Sequence, residues 1–193
     1  MKSETVAAKA RTGGRSARVV AAVFDATLRE LARGGYARLS VESVAERAGV
    51  HKTTIYRRWP TVKELVSASL HSRIDAIEQE VLPEAPRAAI IAFLRAFIRS
   101  ASTPVGRGVF SLVMREGLDG ELAAIMRPLR LRRRERLRAL LRLAKSQGAL
   151  RPGVDEDTGL DVLFGTVQHR LLYRREALDD EAVGAVVDLL IAG

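Results

Sequence analysis

Cysteine is absent from the 193 residues, which excludes disulfides, thiol chemistry and zinc sites built on Cys, and leaves no redox signature. Histidine is scarce. His51, His71 and His169 lie far apart, with no i, i+4 pair and no H-E-x-x-H, so neither a metal centre nor an imidazole acid–base site has support. No uncharged run exceeds eight residues, too few to span a bilayer. The opening stretch MKSETVAAKARTGGRSARVV carries charge but no apolar segment behind it, unlike a signal peptide. No G-x-S-x-G, P-loop or dinucleotide fingerprint occurs. The expectation is a soluble cytoplasmic protein that is not an enzyme and needs no metal or cofactor.

What is present is positive charge, unevenly spread. The net charge is +9. Residues 1–63 hold 13 basic and 5 acidic side chains, a net of +8, whereas residues 64–193 hold 19 and 18, a net of +1. A surplus confined to one segment suggests a polyanionic partner there, either nucleic acid or an anionic membrane surface. A hydrophobic fraction of 47% is enough for a buried core and excludes wholesale disorder.

Apolar spacing predicts an all-α chain of about nine helices, with no β-hairpin signal and no internal repeat. Residues 1–15 are read as a flexible basic arm. Ser16 is a plausible N-cap for a first helix ended by Gly34-Gly35. Ser40 opens a short second helix closed by Gly49. A third runs from about His51 to Trp59 before Pro60. Thr61-Val62-Lys63-Glu64 has the form of a capping box for a fourth. Further helices are expected over 87–100, 104–117, 119–147 (punctuated by Pro128), 155–175 and 179–192. The division expected is a helix-turn-helix domain over 16–63 and a second helical domain over 64–193.

The stretch from Ser40 to Lys63, SVESVAERAGVHKTTIYRRWPTVK, carries the chemistry. Two short helices around Gly49-Val50 make a helix-turn-helix. Val44, Ala48, Val50 and Ile55 form an apolar wedge, Ala45 is small enough for close passage of the second helix, and Gly49 suits a positive φ. The outer face keeps Lys52, Thr53, Thr54, Tyr56 and Arg57, hydroxyls and cations suited to base edges and phosphates in a major groove. Trp59 is expected in the core. Ser40 is at least an N-cap, and Arg58 has a solvated role open to it.

The wider pattern is Gly35-Tyr36, Leu39-Ser40-Val41, Val44-Ala45, Ala48-Gly49-Val50, Ile55 through Thr61, and Lys63-Glu64-Leu65. On these residues the chain resembles the TetR family of transcriptional regulators over about residues 16–70. Trp59 stands where Phe is commoner, and Thr53 where a small residue is frequent. The segment His169–Tyr173 resembles the penultimate helix of one subgroup. The resemblance implies that Lys52, Thr53 and Thr54 meet base edges or adjacent phosphates. It implies that Tyr56 and Arg57 hold phosphate or base, and that Ser40 and Lys63 hold phosphates at helix N-termini, which the helix dipole favours independently. Arg15 and Arg18 would add contacts from the arm.

The expected function is a homodimeric regulator of near-palindromic double-stranded DNA, a repressor released by a small-molecule effector. For the effector pocket the candidates are Phe93, Phe97, Phe110, Met114, Met126, Phe164 and His169, with ordinary core packing as the competing account. The candidate dimer surface is Leu160, Leu163, Val167, Leu171, Val183, Val186, Val187 and Leu190, eased by Gly165 and Gly184. Between Arg127 and Lys145 stand nine basic residues and one acid, Glu135. Acids at 155–161 and 176–188 are expected to balance them. Two other classes stay open: a basic membrane-surface protein, and a helical enzyme or carrier that keeps a DNA-binding-like domain.

Overall fold

The computed structural model describes residues 12–78, 84–116, 120–176 and 178–192. Among these residues there are nine α-helices: α1 Thr12–Gly34, α2 Val41–Ala48, α3 Lys52–Tyr56, α4 Val62–Glu78, α5 Pro86–Ser102, α6 Pro104–Glu116, α7 Gly120–Ser146, α8 Glu156–Gln168 and α9 Asp180–Asp188. A 3-10 turn, Tyr36–Arg38, follows α1, and a π-helical turn, His169–Arg174, extends α8. The sole extended pairing described is an isolated antiparallel bridge between Leu150 and Ile191.

The chain forms two compact units, Met1–Ser72 and Arg73–Gly193. The boundary thus falls within α4 rather than after Lys63. The reason is burial: Leu65, Val66, Ser69 and Leu70 on the first half of α4 are all enclosed, so these turns belong with the residues before them. Helix α1 already includes Thr12–Arg15, so the expected arm is helical from Thr12, and residues 1–11 lie outside the described residues. The third helix is shorter than expected because Arg57 and Arg58 turn out of it ahead of Pro60.

In the second unit, α5, α7, α8 and α9 share one core. Its fully enclosed residues include Ile90, Leu94, Leu137, Leu141, Leu160 and Leu163. Gly159 allows the α8 backbone to approach α7, because a Cβ there would lie 3.0 Å from Leu141 Cδ1. Helix α7 runs unbroken through Pro128. A proline removes one i→i−4 hydrogen bond. Pro128 and Ala124 both lie on the exposed side, so the carbonyl that loses its donor faces water.

Two expectations change here. Leu160, Leu163, Val167, Val183, Val186, Val187 and Leu190 are buried inside the protomer, and Leu171 is half-buried against the same core. Their helical spacing reported the core of one chain, and a residue enclosed within its own protomer has no surface left for a second copy. The arginines of α7 are paired as expected with the acids of α8. Arg134 reaches Asp157 (3.0 Å) and Asp161 (3.2 Å), Arg138 reaches Asp157 and Glu135, and Lys145 reaches Glu156 (3.1 Å). Arg132 instead meets Asp75 of α4 at 2.6 Å. Acids at 176–188 pair elsewhere: Asp188 holds Arg87 at 2.7 and 2.8 Å, Asp180 holds Arg95 at 2.6 Å, and Glu176 holds Arg174 at 2.7 Å.

At the start of α6, Gly106 leaves room for the Arg73 guanidinium, which donates to the Ser100 carbonyl at 2.5 Å and to Thr103 Oγ1 at 3.3 Å. A Cβ on Gly106 would overlap that carbonyl and crowd both side chains. Gly106→Ala is therefore expected to destabilise the chain by about 1–3 kcal/mol, read as a lowered urea midpoint. An unchanged midpoint would show that the α5–α6 turn yields without cost.

Candidate nucleic-acid interface

The first unit is built around a short, well-capped pair of helices. Ser40 is the N-cap of α2, its Oγ accepting from the Ser43 N–H at 3.1 Å. Gly49 closes α2 in the left-handed region with φ 65°. Its own N–H and that of Val50, which donates to the Ala45 carbonyl at 3.0 Å, satisfy the end of the helix. The chain then turns directly into α3. His51 caps α3, its Nδ1 facing the Thr53 N–H at 3.4 Å and Thr53 Oγ1 at 2.8 Å. The sequence reading missed this cap, although a polar residue ahead of Lys52-Thr53-Thr54 was a signal for it.

Val44 and Ile55 are fully buried and Ala45 nearly so, while Ala48 and Val50 are half-buried, so the apolar wedge exists with its rim open. Because Ile55 points inward, the short α3 presents Lys52, Thr53, Tyr56 and Arg57 to solvent and leaves Thr54 half-buried. Tyr56 is 42% exposed, unusual for a large aromatic that could have joined the core. Trp59 is only half-buried and packs on Phe24 of α1, with ring centroids 5.2 Å apart. Arg58 is held rather than free, donating to Ser16 Oγ at 3.1 Å. Thr61 and Glu64 make the expected capping box: Glu64 N–H donates to Thr61 Oγ1 at 3.1 Å, and Thr61 N–H to Glu64 Oε2 at 3.2 Å. Lys63 thereby sits in the first turn of α4, and Arg15 and Arg18 sit on α1.

Charge pairing separates the two units. Among the described residues, Arg15, Arg18, Arg57 and Lys63 are exposed and form no ion pair. Lys52 lies 3.6 Å from Glu42, but both are more than half exposed, and such a pair is worth about 0–1 kcal/mol. The second unit ties many of its cations to acids. The unneutralised cations thus stand on and around the exposed α3, a surface suited to phosphates and base edges.

One buried carboxylate supports this surface from behind. Glu30 of α1 has a side chain only 7% exposed, and it receives Arg33 at 2.9 Å and Arg47 of α2 at 2.6 Å. Burial pushes its carboxyl upward, but the hydrogen bonds from Arg33 and Arg47 outweigh that and hold it below the ordinary value.

Sequence and structure comparisons agree with this geometry. Residues 23–68 match the family described as bacterial regulatory proteins, tetR family, and residues 84–190 match the tetracyclin repressor-like C-terminal domain. A curated relative from Mycobacteroides abscessus, the DNA-binding transcriptional repressor TetR, is 33% identical over 170 residues, covering 87% of this chain and 89% of the relative. The chain belongs to the TetR family. It is thus a DNA-binding transcriptional regulator, from a family of regulators rather than enzymes. An uncharacterized HTH-type regulator of Bacillus subtilis, YdeS, is 26% identical over 92% of this chain and 88% of its own length. The crystal structure of the TetR family transcription regulator SCO0332 superposes with a TM-score of 0.62 at 35% identity, covering 89% of this chain and 95% of that one.

The family's C-terminal region is where an effector site was expected, and the structure divides those candidates. Phe93, Phe97 and Met126 are buried in packing, Phe97 edge-on to Phe110 at 5.4 Å and under the Arg133 guanidinium at 4.5 Å. His169 is exposed and stacks on Tyr173 at 5.7 Å. Phe110 lines one cavity of about 520 Å³, and Met114 and Phe164 line another of about 400 Å³. Helical spacing gathered all these aromatics onto inward faces but carried no information on where the packing leaves space.

Replacing Glu30 tests the support behind α3. Glu30→Gln removes two charge-assisted hydrogen bonds and is expected to cost about 1–3 kcal/mol of stability at neutral pH. Because the folded carboxyl titrates below its ordinary 4.5, the contribution is complete above about pH 4.5 and is lost as pH falls through the folded value. The variant's stability profile should therefore lack that part of the acid limb. Parallel curves for the two proteins between neutral and acid pH would contradict the assignment.

Proposed function

We propose that the chain is a cytoplasmic homodimeric repressor of a near-palindromic DNA site, released by a small-molecule effector. The observation that carries the DNA-binding part is the exposed α3 with the unpaired Arg57 at its end. Among the described residues no single helix is long and apolar enough to cross a membrane. In this reading Lys52, Thr53 and Thr54 approach base edges and adjacent phosphates, and Tyr56 and Arg57 hold the backbone. Ser40 and Lys63 add phosphate contacts from the first turns of α2 and α4, where the helix dipole favours an anion. Arg15 and Arg18 add contacts from α1.

The dimer is assigned to the outer side of α8 and its π-helical extension, in place of the buried residues named from sequence. Asp161, Gly165, His169 and Tyr173 recur at helical spacing on that side, all exposed, and Tyr173 is 81% exposed. No atom lies within 4 Å of a Cβ built on Gly165, so a second helix can approach there closely. A two-fold axis through this face brings the same residues together from both copies.

DNA binding should weaken steeply with salt. Arg57→Ala is expected to reduce the slope of log K against log[salt] by about 2, from one lost phosphate contact in each half-site. Thr54→Ala should cost about 1–3 kcal/mol on the cognate site and much less on random DNA. Unchanged affinity, slope and footprint in both variants would remove the assignment of α3 as the recognition helix. For the dimer, Gly165→Arg should shift the chain to monomer in sedimentation and weaken operator binding, with helical content retained. A dimer that survives Gly165→Arg would place the interface elsewhere.

A further inference from the structure

The larger cavity of the second unit has a wall whose backbone is not the one its sequence would adopt at least cost. Helix α8 passes at His169 into a π-helical turn, a feature found often at functional sites. The turn is closed by Arg175 at φ 54° and ψ 32°, the one non-glycine residue with positive φ among the described residues. Glycine is the ordinary residue for such a cap, since a side chain there is strained. The Arg175 N–H nevertheless donates to the Arg170 carbonyl, and the Glu176 N–H donates to the same oxygen at 3.2 Å. This places Arg175 and Glu176 side by side in the cavity wall.

The chemistry of the wall is two-sided. Phe110 and Ala101 from α6 and α5 face Leu171 and Leu172, which are half-buried and packed on the hydrophobic core. Arg175 and Arg107 line the same cavity. Arg107 donates to the Ser102 carbonyl, and the Arg175 side chain has no hydrogen bond or ion pair. Glu176 is the cavity's one carboxylate, and its charge is met by Arg174 at 2.7 Å and Arg170 at 3.6 Å. The balance around the cavity is therefore positive. A guanidinium offers paired N–H donors that match a carboxylate or phosphate edge. The volume of about 520 Å³ lies within the range of about 300–1,000 Å³ typical of small-molecule sites.

The geometry points to this cavity as a binding site for a small amphipathic anion, its acidic head on Arg175 and its apolar body over Phe110, Leu171 and Leu172. The assignment rests on the reading of the chain as an effector-responsive regulator, and it names the chemical class of that effector. A glycine at position 175 would relieve the backbone; the arginine there supplies the guanidinium that holds the anion. Stability is given up at the site where the ligand binds.

The test uses the full-length chain and three probes with the same tail: decanoate, decan-1-ol and decylammonium. Titration calorimetry should show decanoate binding at least about tenfold tighter than decan-1-ol, the size of one charge-assisted hydrogen-bonded pair, with decylammonium weakest. Arg175→Gly should lose that preference while its melting temperature stays equal or rises, a combination that a purely structural arginine would not give. Ser111→Phe, which projects a ring into the cavity, should block decanoate binding. Equal decanoate affinity in the wild type and Arg175→Gly, or a preference for decylammonium, would overturn the assignment. Operator affinity measured with and without decanoate separates the two levels of the claim. Decanoate that binds through Arg175 without changing operator affinity keeps the site and removes effector release. Release of DNA by another compound that binds Arg175→Gly undiminished keeps effector release and removes this site.

Discussion

The second unit depends on neutralising α7. A helix with nine basic residues between Arg127 and Lys145 buries Leu137, Leu141 and Ala144 on one face and carries a dense row of cations beside it. The first turns of α8 supply the counter-charges. Asp157 takes Arg134 and Arg138, Asp161 takes Arg134, and Glu156 takes Lys145, while Asp155 caps α8 through the Thr158 N–H at 2.9 Å. Acids at a helix N-terminus also complement the dipole. Each exposed pair is worth little. Their collective effect is to fix α8 against α7 in the register that puts Gly159 on Leu141. The hydrophobic stripe and the charged flank thus specify the same packing, the kind of agreement between levels that gives a single fold.

This pairing also explains why charge counted along the chain was more informative than charge seen by eye. The arginine run of α7 is the densest in the sequence, yet acids 20 or so residues on answer it. The smaller surplus before Lys63 has fewer answers. Glu30 is spent on Arg33 and Arg47, which hold α1 against α2, and Asp25 on Arg29. Arg15, Arg18, Arg57 and Lys63 are among those that remain unpaired, and the proposed reading gives them to DNA phosphates. Tertiary pairing decides which cations are structural and which are available.

The helices and the recognition pair were legible in the sequence because their signals are local. Ser40, Gly49, Thr61 and Glu64 act on residues within four positions, and each makes the bond its type predicts. The interface residues were not legible, for a definite reason. Apolar spacing identifies an inward face, and Leu163 or Val187 reads identically whether its neighbour is α7 or another copy of α8. The same ambiguity placed Phe93 and Phe97 in a pocket when they fill the core. The residues on which the proposed dimer face and ligand site rest are those that local rules discard: an exposed Gly165, a Tyr173 on the surface, and an arginine with positive φ.

For any ligand in the second unit to alter DNA affinity, it must distinguish two conformations that differ at the recognition helices, and tight binding alone shifts nothing. A coupling of about 1–3 kcal/mol, or about 5- to 150-fold in affinity, is the usual scale. The chain passes from one unit to the other inside α4, whose early turns bury Leu65, Val66 and Leu70 and whose later turn carries Arg73 to the Ser100 carbonyl. The cavity of Arg175 shares the α5–α6 region with that Arg73 contact, being lined by Ala101, Ser102 and Arg107. A ligand that moved these residues by a fraction of an ångström would act on the anchor of α4 directly. The energy needed is comparable with what one charge-assisted contact supplies, provided that the contact is made in only one of the two conformations. On the proposed reading, a ligand on Arg175 acts on α4 through Ala101, Ser102 and Arg107, so that part of its binding energy changes the helix rather than adding only to affinity.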